Sequence, residues 1–261
     1  MNEAVTISVQ REEALATVTL CNPGRLNAMT RAMWRELRAV FDELSADAGL
    51  RAVRVRGEGA AFCAGGDISE YPAFRFAPES LRAFHEDEVW AALAAILACP
   101  VPVVAQITGP CMGAGIEIAS CCDIRLAGDS ATFGAPIARL GFPMAPREAA
   151  LVRAAIGDVL ARDMLLAAGV HGAARLREAG FLTEVLPDAE LPDAAARKLA
   201  QVAALAPQAA RAHKALLRGL QAGPSQQAWL AQWLPTAYDY ADTAEHREGI
   251  QAFLDKRPPR F

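Results

Sequence analysis

The sequence predicts an α/β fold, and three features of the chain point to it. Short apolar strands alternate with amphipathic helices through the first 145 or so residues. Glycine-rich breaks end several of those strands. Beyond that point the chain turns rich in Ala, Leu and Arg and reads as almost wholly helical. Alternating strands and helices imply layered sheet and helix rather than separate all-α and all-β parts.

The elements follow in order. Alternation at Val5, Ile7 and Val9, and again at Ala16, Val18 and Leu20, predicts two strands, read as a hairpin. Asn22-Pro23-Gly24 is a turn signal. Thr30 can cap a helix whose apolar positions Met33, Leu37, Val40, Phe41 and Leu44 share one face. Val53 and Val55 mark a strand ended by Gly57 and Gly59. A helical stretch from about Glu79 to Ala98 stops at Pro100 and Pro102, and Pro102 to Ile107 reads as a buried strand. Gly109-Pro110 breaks it. A helix from about Gly113 to Cys121 is followed by short strands at Asp123 to Ala127 and Ala131 to Phe133. The remainder predicts helices at 147–156, 158–168, 173–179, 192–205, 208–220, 225–240 and 242–255, with Leu182 to Leu186 as the one strand among them. No low-complexity linker separates the parts. The expected organisation is therefore a core over 1–195 with an interlocked helical region over 196–261.

Composition narrows the function. The chain has 261 residues, 53% hydrophobic and 21% charged, enough for a sizeable core. Net charge is −4 without a basic block, which disfavours nucleic acid as a partner because phosphate binding needs clustered Lys and Arg. Met1 to Arg11 has no apolar leader segment, and no apolar run reaches the ~18 residues that span a bilayer. The six cysteines follow no metal or redox spacing, and Cys121 and Cys122 are adjacent. They read as small buried hydrophobes of a cytoplasmic protein. No metal site is expected.

Three local features carry chemistry. Ala61-Phe62-Cys63-Ala64-Gly65-Gly66-Asp67-Ile68 is a small-residue loop after a strand, open to close approach by a ligand or by another backbone. It lacks the Gly-Lys-Ser/Thr of a P-loop, and a plain glycine turn is the simpler reading. Gly109 to Gly115 runs straight into a helix, whose first N–H groups have no intrahelical partner and suit an anion or a developing oxyanion. A dinucleotide fingerprint would need a third glycine that is absent. Glu117 lies in that helix's first turn among Ile116, Ile118 and Ala119. It is either an exposed partner of the helix dipole or a buried carboxyl with raised pKa, suited to acid–base work.

Together these segments resemble the enoyl-CoA hydratase/isomerase (crotonase) family. The resemblance runs through Asn22 to Met29, Ala61 to Ile68, Cys99 to Ala105, Thr108-Gly109, Gly113 to Ala119, Cys122 to Ala127, Phe133-Gly134, Ala179 to Val185 and Glu248 to Arg257. It implies a crotonase-like spiral of ββα units with a helical C-terminal trimerisation region, and homotrimers that can pair into hexamers. It implies an acyl-CoA substrate, with coenzyme A present only as part of the thioester and no permanently bound cofactor, nicotinamide or flavin. By motif position, the backbone amides of Ala64 and Ala114 would form the oxyanion hole and Glu117 would carry protons. Arg25, Leu26, Ala28, Gly65, Gly66, Asp67, Ile68, Met112, Gly113, Pro136, Ile137, Gly141 and Lys256 would bind substrate and CoA, Lys256 from a neighbouring subunit.

One departure stands out. The family's hydratases commonly place a second glutamate after Phe-Gly-x-Pro, and here Ile137 takes that place. One carboxyl still permits hydration or dehydration of a 2-enoyl-CoA, the leading expectation. The alternatives are an isomerase, decarboxylase or thioesterase on the same scaffold, or a non-catalytic CoA-binding homologue. Among candidates to replace the missing carboxyl, Arg147 and Glu148 read as first-turn surface charge, Arg139 as a group able to reach a polar substrate, and Tyr71, His85, Glu86 and Glu88 as surface residues flanking the pocket's cover. Trp90, Phe142 and Trp233 read as core or pocket lining.

Overall fold

A computed structural model describes residues 5–220, 231, 234–236 and 239–261. The expected hairpin is present. Strands β1 (Thr6–Glu12) and β2 (Leu15–Cys21) pair antiparallel, with Thr6 opposite Cys21 and Glu12 opposite Leu15. β2 then pairs in parallel with β3 (Ala52–Gly57), β3 with β4 (Val103–Ile107), β4 with β6 (Ile124–Gly128) and β6 with β9 (Glu184–Leu186). This gives one six-stranded sheet in the order β1-β2-β3-β4-β6-β9.

A second, three-stranded sheet joins β5 (Pro110–Met112), β7 (Thr132–Gly134) and β8 (Val170–Gly172). The sequence reading took Gly109-Pro110 as a plain break and saw no strand near residue 170. Three-residue strands are too short to show alternation, so β5 and β8 left no periodic signal.

Helix α1 (Arg31–Ala46) starts where Thr30 caps it, the Thr30 Oγ1 accepting from Met33 N at 3.2 Å. Its buried face is Met33, Trp34, Leu37, Phe41 and Leu44. The helical stretch before β4 is composite. α2 (Pro78–Ala83) and α3 (Trp90–Ala98) are joined by a π-helical turn over Phe84–Val89. Then come α4 (Ala114–Cys121), α5 (Pro146–Ile156), α6 (Asp158–Leu166), α7 (Ala173–Glu178), α8 (Leu191–Ala203), α9 (Pro207–Leu220) and α10 (Ala244–Leu254). The helix expected over 225–240 falls largely outside the described residues, as does Trp233. Within that span, Leu234–Thr236 and Asp239–Asp242 are short 3-10 turns.

The main core lies between the six-stranded sheet, α1, α3 and α4. A second apolar cluster covers the other side, where Leu191, Ala195, Leu199 and Val202 of α8 pack on Ala52, Val104 and Leu126. A division after residue 195 therefore falls inside α8, whose apolar stripe packs as one unit. The chain beyond is anchored by polar contacts. Lys214 Nζ donates to Val101 O and to Asp123 Oδ2, both at 2.7 Å, and Arg218 reaches Asp123 Oδ1 at 3.0 Å. All six cysteines are buried, and none forms a disulfide. Burial pushes the Cys63 thiol up to about 12, which suits the packing role expected of it. Among the described residues no helix is long and apolar enough to cross a membrane.

Candidate active site

The two small-residue loops meet. Cys63 N donates to Pro110 O at 3.0 Å, and Met112 N returns a bond to Cys63 O at 2.8 Å. This contact needs Gly115, because a Cβ there would lie 2.6 Å from Cys63 O. The absent side chain lets the start of α4 sit directly against the first loop. A cavity of about 320 Å³ opens at the junction.

Two backbone amides face it. Ala114 is the first residue of α4, so no carbonyl lies one turn back to accept its N–H. Gly113 before it adopts φ 48° and donates its own N–H to Gly134 O at 2.9 Å. The second amide belongs to Gly66. Met29 forms a parallel bridge to Gly66 by donating to Gly65 O and accepting from Asp67 N, both at 2.8 Å. In a parallel bridge of this kind the central residue's own amide points away from its partner. No acceptor among the described residues takes the Gly66 N–H, and Gly66 lines the cavity.

The expectation for Ala64 is corrected here. Its N–H donates to Leu26 O at 2.9 Å, so it is already satisfied inside the loop. A donor spent on the protein's own carbonyl is not aimed at a ligand, and the free amide lies two residues on, at Gly66. A Cβ on Gly66 would fall 2.3 Å from the Tyr71 hydroxyl, so any side chain at 66 would have to push the Tyr71 ring aside.

Glu117 lies one turn into α4, on the wall of the same cavity. Its carboxyl titrates at about 8 instead of 4.5, first because burial penalises the charged form and second because of the negative charge of Glu148. Glu117 is half-buried, and its raised pKa favours the acid–base reading over an exposed partner of the helix dipole. Tyr71 is shifted upward as well, mainly by burial, with Arg75 opposing and Glu117 adding to the shift.

The larger correction concerns His85 and Glu148, both read from the sequence as surface. Glu148 is only 2% exposed, and its Oε1 lies 3.1 Å from His85 Nδ1. His85 sits on the π-helical turn and lines the cavity. A signal was available. Glu148, Val152 and Ile156 are the buried residues of α5, spaced i, i+4, i+8, which places the carboxylate on the apolar stripe. Arg147 matches its expectation, pairing with Glu86 at 3.2 Å near the surface. Glu88 is a clamp, pairing with Arg31 and Arg35 of α1 at 2.5 and 3.2 Å.

Of the expected binding residues, the cavity gathers Gly65, Gly66, Ile68, Met112, Gly113, Pro136 and Ile137. Ile137 brings an aliphatic side chain where a carboxyl was in question. Phe142 and Arg139 also line it, Arg139 with its guanidinium bonded to Ala168 O at 3.2 Å. Arg25, Ala28, Asp67, Gly141 and Lys256 lie outside the lining, and Leu26 lines a separate shallow pocket beside Asn22 and Asn27. Asp67 caps the next turn through Ser69 N, and Gly141 ends the 3-10 turn Pro136–Leu140 with φ 81°. Among the described residues no group of His, Cys, Asp and Glu could hold a metal ion.

Residues 10–261 match the family model for enoyl-CoA hydratase/isomerase. The chain belongs to the enoyl-CoA hydratase/isomerase family. A probable enoyl-CoA hydratase of Rhodobacter capsulatus is 33% identical over 258 residues, covering 98% of this chain and 97% of that protein. The 2,3-dehydroadipyl-CoA hydratase of Escherichia coli is 32% identical over 262 residues, covering 97% of each. In three dimensions the chain is similar to an enoyl-CoA hydratase/carnitine racemase from Magnetospirillum magneticum. The TM-score is 0.92 at 38% identity, covering 100% of this chain and 96% of that one. Members of the enoyl-CoA hydratase/isomerase family handle CoA thioesters, and the free amides of Gly66 and Ala114 lie beside a carboxyl suited to proton transfer.

Proposed function

We propose that the chain hydrates a 2-enoyl-CoA thioester, or dehydrates the 3-hydroxyacyl-CoA in reverse, by way of an enolate. The observation that carries this reading is the pair of unspent amides, Gly66 and Ala114, on one cavity wall with Glu117. The thioester oxygen sits between the two donors. As water adds at C3, charge moves onto that oxygen, and each aimed amide lowers the barrier by about 3 kcal/mol. Glu117, protonated near neutrality by its burial, gives its proton to C2. The pantetheine and nucleotide run out past Gly65 to Ile68 and past Arg25, Leu26 and Ala28, with Met112, Gly113 and Pro136 flanking the thioester. Coenzyme A arrives and leaves as part of the substrate. Exposed apolar residues of the helical end, Leu217, Ile250, Phe253 and Leu254, support a trimer, in which Lys256 reaches a neighbour's nucleotide, and trimers can pair. The buried thiols, none of them in a disulfide, suit a cytoplasmic setting.

Ile137 favours a second reading. Without a carboxyl on that loop, the same enolate could serve isomerisation, decarboxylation or thioester hydrolysis. Crotonyl-CoA decides between them. Loss of the conjugated absorbance with formation of 3-hydroxybutyryl-CoA, abolished in Glu117→Gln, supports the hydratase. Binding of CoA ester without that product points to the other enolate reactions.

A further inference from the structure

Hydration moves two protons: one leaves the attacking water and one arrives at C2. Glu117 accounts for one, and Ile137 supplies nothing for the other. The cavity holds one further ionisable arrangement built for the task. His85 reaches its wall from the π-helical turn Phe84–Val89, a backbone distortion often found at functional sites. Behind it stands Glu148, 2% exposed, with Oε1 at 3.1 Å from His85 Nδ1. A carboxylate only accepts hydrogen bonds, so an ionised Glu148 fixes the proton on Nδ1. Nε2 is left bare, with no partner among the described residues. A buried carboxylate is costly unless paired, and His85 is the partner the structure gives Glu148.

Resting on the hydratase reading, we propose that His85 is the second proton-transfer group and Glu148 its positioning residue. In the hydration direction His85 Nε2 takes a proton from water as the oxygen bonds to C3. The C2–C3 π electrons pass into the enolate, whose oxygen rests on the Gly66 and Ala114 amides. The Glu117 carboxyl then delivers its proton to C2. The imidazolium and the Glu117 carboxylate return to their starting states by passing one proton between them through the cavity or by way of solvent. One water is consumed and no oxidant or metal is needed.

The neighbourhood fits. Glu117 and Glu148 are close enough for the charge of one to shift the other. Arg75 and Arg139 line the same cavity. Glu86, beside His85 on the turn, is occupied with Arg147 at 3.2 Å, and Glu88 with Arg31 at 2.5 Å. Phe84 packs edge-on against the imidazole, the ring centroids 5.1 Å apart.

The test compares two reactions of the full chain. One is hydration of crotonyl-CoA, which needs both groups. The other is exchange of the C2 hydrogens of butyryl-CoA in deuterated water, which needs only Glu117 and the two amides. His85→Gln should lower kcat for hydration roughly 100-fold or more, with KM nearly constant and exchange within about threefold of the parent. Glu148→Gln should lower hydration by a smaller factor and leave exchange undiminished. Hydration undiminished in His85→Gln would overturn the proposal, and equal loss of both reactions would too, since that marks a structural role. A parent protein that exchanges C2 hydrogens but never hydrates crotonyl-CoA sinks the hydratase reading itself, and the role of His85 in it. That outcome is distinct from an active parent indifferent to His85.

Discussion

Glu117→Gln should make the folded protein more stable while making the enzyme inactive, and the gain should grow with pH. The wild-type carboxyl titrates at about 8 in the fold and near 4.5 when released by unfolding. Its folded pKa is raised, so between these values the native state holds a proton that the unfolded state has lost. The sign follows from linkage: stability falls as pH rises through this window. Each pH unit inside the window costs ~1.4 kcal/mol, and the cost summed from pH 5 to pH 9 is ~4 kcal/mol. Glutamine has the same shape and no charge, so the variant escapes the penalty. Thermal unfolding of both proteins at pH 5, 7 and 9 measures it. At ~2 °C per kcal/mol for a chain of this size, the melting-temperature gap should widen by roughly 8 °C from pH 5 to pH 9. A gap that stays constant would refute the assignment of Glu117 as a buried carboxyl with a raised pKa, even if the variant is inactive.

Gly66→Ala places a Cβ 2.3 Å from the Tyr71 hydroxyl, so it should displace the ring and lower kcat/KM about tenfold or more. Adding Tyr71→Phe removes the hydroxyl and leaves the nearest ring carbon at 3.3 Å, so the double variant should recover much of the loss in a double-mutant cycle. Ile137→Glu puts a carboxyl on the cavity wall. In a His85→Gln background it should restore hydration of crotonyl-CoA by about tenfold or more, and no recovery would show that this loop cannot aim a base. Asp123→Ala strips the carboxylate partner from Lys214, which is 7% exposed and keeps the Val101 carbonyl, and should cost about 3 kcal/mol in denaturant unfolding. An unchanged midpoint would mean that α9 does not depend on this contact.

The fold was legible where its periodic signals were long. The alternation in residues 5–20 gave the hairpin, and the spacing of Met33, Leu37, Phe41 and Leu44 gave α1 with its Thr30 cap. The three-residue strands β5 and β8 escaped, because alternation needs more positions than they possess, whereas β7 and β9 fell within apolar runs already read as strands. At the site, Glu117 was legible from an acidic residue inside an apolar helix. The proposed oxyanion donors were half legible. Ala114 was expected from the family resemblance and agrees with its place as the first residue of α4, whereas Gly66 could be distinguished from Ala64 only by knowing which amide Leu26 already occupies. The pairing of His85 with Glu148 spans 63 residues and depends on how α5 lies against the π-helical turn. Local pattern cannot supply that. The burial of Glu148 was legible in its spacing with Val152 and Ile156, but the charge invited a surface reading.

Glu148 acts on both ends of the cavity, which makes its removal informative. Its negative charge is the second cause, after burial, of the high pKa of Glu117, and its oxygen holds the His85 ring. Glu148→Gln removes the charge and keeps an acceptor for Nδ1. Burial remains, so the Glu117 carboxyl should titrate below its present value of about 8 yet stay above 4.5. Exchange of C2 hydrogens requires the Glu117 carboxylate, so its rate should climb with pH and level off near 8 in the parent. In Glu148→Gln the plateau should come at lower pH, and exchange at pH 7 should rise while hydration falls. Opposite movement of two reactions in one variant is hard to obtain from general damage to the fold. If both fell together, or if the exchange profile kept its position, the electrostatic link between the two glutamates would be wrong.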